Sequence, residues 1–300
     1  MHDHLVKFSF QGGKRSENLA LDPRPITRDQ YLADRSGKTF GTANPTIMDK
    51  PFWKYMIGKG GERGGEIEGS AFFARQLFDD VDLKAYSGHG RDTEDLCEES
   101  DPVWCFRRMG RTGTTLPDGR HVLIGGEHED FYDPDFCIYN DVLSGPPSSD
   151  SSTSSAAEGD IPRCYTGPAN FHDAYPQPPS PECITIYGYP VDVFPPTDFH
   201  TSTYFRDPKS GKEFIFIIGG LGYMGSASRD RTDVYRLDLS DFSIKKMETS
   251  GSKPARGIDD HTAKLIDDED GGSGAEIMIT TKVGQVFSLV IDRLEWISHG

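Results

Sequence analysis

Glu213-Phe214-Ile215-Phe216-Ile217-Ile218-Gly219-Gly220 decides the fold class. Five consecutive apolar residues of high β-propensity, Phe214 to Ile218, stop at a pair of glycines. A run this short and this rich in Phe and Ile reads as a strand, and the glycines end it with unrestricted φ. Upstream lies Asp198-Phe199-His200-Thr201-Ser202-Thr203, and downstream lie residues 232–238 and 242–244. Together they read as strand, turn, apolar strand, loop, third strand and fourth strand, which makes one four-stranded antiparallel unit.

The same rhythm occurs twice more. The first unit runs through 108–116, a Pro117-Asp118-Gly119 turn, 121–126 ending in Gly125-Gly126, a third strand at 136–142 and a fourth at 183–187. The third unit runs through 260–265, 276–281, 285–289 and 294–296. His200-Thr201 and His261-Thr262 lie 61 residues apart, and Thr280-Thr281 lies the same 61 beyond Gly219-Gly220. One offset for two independent landmarks marks an internal repeat.

These units resemble the kelch family. The resemblance rests on Gly125, Gly126 and Tyr139 in the first unit, Gly219, Gly220 and Tyr235 in the second, and Trp296 in the third. Arg111-Thr112, His200-Thr201 and His261-Thr262 are also kelch-like, and the likeness covers about residues 103–297. It implies an all-β fold, a kelch-type β-propeller. Three units fall short of the usual 4–8 blades, so an incomplete or few-bladed ring is expected. The glycine pair has a geometric reason: where inner strands crowd, a residue without Cβ permits close approach.

Residues 1–100 form a separate N-terminal segment in this reading. It offers one closing strand at 6–10 and two aromatic helices, at 51–57 and 70–79. The region 101–300 is the propeller, interrupted by an insert at 144–181. Seven of the twelve residues from Ser144 to Ser155 are Ser, and such a stretch cannot bury enough apolar surface to offset its ordering entropy.

Composition narrows the function. The formal net charge is -16, which repels nucleic-acid phosphates and anionic membrane surfaces. Neither is expected as a partner, whereas a basic protein is electrostatically easier. The five Cys are odd in number and form no CxxC, which suits reduced thiols better than a disulfide framework. The first residues lack the pattern of a signal peptide, and no apolar run is long enough to span a bilayer. A cytoplasmic or nuclear location is therefore expected.

The richest polar cluster follows the first glycine pair: Glu127, His128, Glu129, Asp130, Tyr132 and Asp133, closing at Asp135. Loops of this kind carry function. The cluster is read as a partner-binding loop, together with Tyr223 and Met224 beyond the second pair. Its spacing matches no EF-hand, HxH or HExxH pattern, so no metal is assigned, with Glu127, His128 and Asp130 as the only candidates. The Asp198/His200 and Asp259/His261 pairs share a strand face, but their repetition points to structure rather than catalysis. No nucleophile elbow or phosphate loop is present, and no cofactor is expected. The leading expectation is a non-catalytic protein-interaction module. The alternative is a metal-binding or enzymatic propeller using the 127–135 loop.

Overall fold

The computed structural model describes residues 30, 34, 40–59, 104, 106, 108–128, 137–145, 183–222, 231–266 and 274–300. The side chains of residues 55, 56, 58, 59 and 128 lie outside that description. The expected strand at 6–10, the helix at 70–79 and the insert from 146 to 181 fall outside it as well.

The described chain is mostly β, with one short helix, α1 (Pro51–Lys59), and helical backbone at Gln30 and Asp34. Sheet I contains β1 (Thr46–Ile47), β2 (Thr112–Thr115), β3 (His121–Ile124), β6 (Val142–Gly145) and β7 (Thr185–Gly188), in the order β1-β7-β6-β3-β2. A two-stranded sheet beside it pairs β4 (Glu127–His128) with β5 (Cys137–Ile138). Sheet II is a four-stranded meander of β8 (Thr201–Arg206), β9 (Glu213–Ile218), β10 (Val234–Asp238) and β11 (Ile244–Lys246). Sheet III is a second meander, β13 (Thr262–Ile266), β14 (Glu276–Thr280), β15 (Val286–Val290) and β16 (Glu295–Ser298). Its outer edge carries β12 (Ser250–Gly251), parallel to β16. All other described pairings are antiparallel, and no described sheet closes on itself. No described helix is long and apolar enough to cross a membrane.

The sheets stack in chain order, with β8 lying against both β2 and β13. Along β9, Ile215 and Ile217 point to the core shared with sheet I, while Phe214, Phe216 and Ile218 point to the core shared with sheet III. Sheet II is therefore buried on both faces, which is why β9 reads as an unbroken apolar run. Strand β14 instead alternates: Ile277 and Ile279 are fully buried, while Glu276, Met278 and Thr280 are partly exposed. That is the pattern of a sheet with one solvated face.

The outer rims are tied by side chains. Asn44 donates from Nδ2 to Ile244 O and accepts from Ile244 N at Oδ1, so its amide completes the β11 edge as a peptide group would. Two residues later the same segment pairs with β7, so it clamps sheets I and II together. Tyr189 adds a second tie by donating its hydroxyl to Phe242 O, 2.8 Å away.

Register corrects three details of the sequence reading. Ile218 lies opposite Thr201, and Thr280 lies opposite Thr262, so the counterpart of Gly219 is Thr281 rather than Thr280. The offset is 61 for the first strand and 62 for the second. The third strand of sheet I is Val142–Gly145, not 136–142, because Tyr139-Asn140-Asp141 leaves the ladder to make other contacts. Asn140 Nδ2, for example, donates to Tyr189 O and Phe194 O. Tyr139 is therefore not the partner of Tyr235 in the repeat; Leu143 holds that position. Finally, Ser144 and Gly145 belong to buried β6 and not to the Ser-rich insert.

Candidate functional site

The first strands begin, and the second strands end, at one end of the stack. There the three units repeat a single joint. Gly110, Phe199 and Asp260 precede the first strands in equivalent positions, and all three adopt left-handed φ, at 59°, 49° and 48°. The Phe199 amide donates to Gly110 O at 2.8 Å, and the Asp260 amide donates to Phe199 O at 3.0 Å. A row of backbone hydrogen bonds thus crosses from sheet to sheet.

One residue further on, side chains repeat the crossing. Thr112 Oγ1 lies 2.7 Å from His200 Nε2, and Thr201 Oγ1 lies 3.0 Å from His261 Nε2. Both imidazoles are buried. The histidines therefore bridge to a threonine of the preceding sheet. Burial pushes the His261 ring down to about 4, against a smaller upward pull from Asp259, so it is neutral at neutral pH. The nearby aspartates are used elsewhere: Asp198 Oδ1 accepts from Gly222 N, and Asp259 Oδ2 pairs with Lys282 Nζ.

The glycine pairs complete the joint. Gly126 N donates to Thr197 O, and Gly220 N donates to Ile258 O, the same position one unit later. A Cβ on Gly125 would sit 2.3 Å from Thr197 O, and one on Gly219 would sit 2.4 Å from Ile258 O. Only a residue without a side chain allows the next sheet this close.

A buried ionic cluster supports the return of the first loop. Arg108 forms an ion pair with Asp141, with a very short contact from Nη1 to Oδ1 and 2.9 Å from Nη2 to Oδ2. Trp104 Nε1 donates to the same carboxylate at 2.6 Å. The Arg108 guanidinium also lies over the Tyr139 ring, 3.5 Å from its centroid. Burial works to raise the Asp141 carboxyl, but Arg108, Arg111 and the Trp104 indole outweigh it and hold it below the usual range. Trp53 of α1 stacks on Trp104, which ties the helix to this cluster.

The expected binding residues divide sharply. Glu127 is buried and its backbone pairs with Met109 and Ile138, so it belongs to the loop base rather than its tip. His128 lies in β4. Glu129, Asp130, Tyr132, Asp133, Tyr223 and Met224 lie outside the described residues. Both loops nevertheless leave from the same end of the stack, because each follows a second strand. Among the described residues, no group of three or more His, Cys, Asp or Glu is placed to hold a metal ion.

Sequence reasoning missed the roles of Arg108, Asp141 and Trp104. A signal was present in the repeated Asp141-Val142 and Asp233-Val234, whose aspartate carbonyls accept from Gly125 N and Gly219 N in turn. No protein-family model matches the chain, and a search of curated proteins returns no match.

Proposed function

We propose that this chain is a non-catalytic protein-interaction module built from diverged kelch-type propeller blades. Its binding surface is the end from which the 127–135 and 221–224 loops emerge. The observation that carries this reading is the shared origin of the two loops: they belong to different sheets, yet leave one end of a base held together by repeated hydrogen bonds. Recognition loops placed on a rigid scaffold are a common solution to binding. The net charge of -16 and the carboxylates at 129, 130, 133 and 135 favour a basic partner. Tyr132, Tyr223 and Met224 supply side chains of the kind that anchor interfaces. The buried histidines of the joint are engaged with threonines, which suits a structural role better than proton transfer.

A photo-crosslinking amino acid placed at Tyr132, and separately at Tyr223, tests this in cell extract. Both positions are expected to capture the same basic protein, and Glu129→Lys/Asp130→Lys/Asp133→Lys is expected to abolish capture. Capture of unrelated proteins by the two probes, or capture that survives charge reversal, would contradict the reading.

A further inference from the structure

The backbone hydrogen bonds and the threonine–histidine contact that join sheet I to sheet II recur between sheets II and III. A further sheet against the free side of sheet III would need to make them a third time. Sheet III carries side chains that prevent this.

The first obstacle is Thr281, which stands where sheets I and II have Gly125 and Gly219. At those glycines a carbonyl of the next sheet lies 2.3–2.4 Å from the site of a Cβ, well inside van der Waals contact. Thr281 has that Cβ. Its hydroxyl accepts from Gln285 N at 3.1 Å and its carbonyl accepts from Gly284 N, so the residue is locked in a tight turn.

The second obstacle is Lys264. Its counterparts are Thr114 in sheet I and Thr203 in sheet II, both buried at the joint. Lys264 is exposed, as is Thr262, the counterpart of buried Thr112 and Thr201. Covering Lys264 with another sheet would bury an ammonium group. A lysine on an edge strand is a known guard against sheet addition.

The opposite end of the stack is already occupied. Leu123, Leu143 and Ile186 alternate with the residues that face sheet II, and they are buried. In α1, Phe52, Trp53 and Ile57 are buried too.

We infer that sheet III is a built terminus: Thr281 and Lys264 stop a fourth sheet from docking on β13, so the three sheets form an open arc finished at both faces. The inference goes beyond the proposed binding role and does not depend on what the loops bind. Sedimentation velocity over a wide range of concentration tests it on the full chain. The wild type is expected to remain monomeric, and Thr281→Gly/Lys264→Thr is expected to self-associate, with β13 amides becoming protected from hydrogen exchange. Self-association of the wild type with β13 protected would overturn the inference. So would a Thr281→Gly/Lys264→Thr variant that keeps the wild-type circular dichroism yet stays monomeric.

Discussion

At the scale of single residues, the joint between sheets II and III contains an error of fit. Thr114 Oγ1 lies 2.8 Å from Ser202 Oγ across the first joint. The matching pair across the second is Thr203 and Ala263, and the Thr203 hydroxyl is buried with no hydrogen-bond partner among the described residues. Ala263→Ser supplies the missing partner and should stabilise the fold by about 1 kcal/mol in denaturant unfolding. Removing Arg108 has the opposite effect. Arg108→Ala leaves the buried Asp141 carboxylate without its ion-pair partner, with only the Trp104 indole and the Arg111 charge to hold it, and should cost about 3–5 kcal/mol by the same measurement. His261 makes stability depend on pH. Its folded value of about 4 lies below the ordinary 6.5, so the unfolded chain binds the proton first as pH falls. Its contribution is whole above about 6.5 and declines toward pH 4, with a slope of at most about 1.4 kcal/mol per unit. His261→Gln should flatten the stability profile in that window. The sequence revealed that these histidines repeat but not what they touch, because the contact runs to the preceding sheet, 60 residues away at Thr201.

At the scale of the element, glycine and threonine at equivalent strand ends differ in what lies beyond them. Gly219→Ala drives a Cβ to 2.4 Å from Ile258 O and 2.7 Å from the His261 ring, at a left-handed φ of 73°. Such strain should cost about 2–4 kcal/mol, at the upper end of single-site effects. Thr281→Gly removes a side chain that no following sheet crowds, and should change stability far less. Strand type was well announced by pattern: the apolar run of β9 against the alternation of β14 reflects two buried faces against one. Register was less legible. The one-residue difference between the two units sits in the hairpin between first and second strands, where length is free to vary while both ladders stay intact. The third strand of sheet I was misplaced for a related reason. The apolar stretch at 137–139 looks like a strand, but β5 pairs with β4 outside sheet I, and Asn140 and Asp141 are engaged by side-chain partners.

At the scale of the whole molecule, three similar sheets are joined by one repeated device and differ in how their outer faces are treated. Sheet II is covered on both sides, sheet I is covered by its neighbour and buried on its free face, and sheet III presents Thr262 and Lys264 to solvent. The repeat made this architecture readable in outline, since successive units of four strands, two of them with a glycine pair after the second strand, imply stacked sheets. Where the stack stops was not readable, because Thr281 acquires its meaning only from the carbonyl that crowds Gly125 and Gly219. The central claim is that successive sheets are locked together by the backbone donors Gly126, Phe199, Gly220 and Asp260. Amide hydrogen exchange measured residue by residue on the full chain tests it most directly. These four amides should exchange as slowly as those within β9; exchange as fast as in an exposed turn such as 209–211 would show that the sheets are not joined in this way.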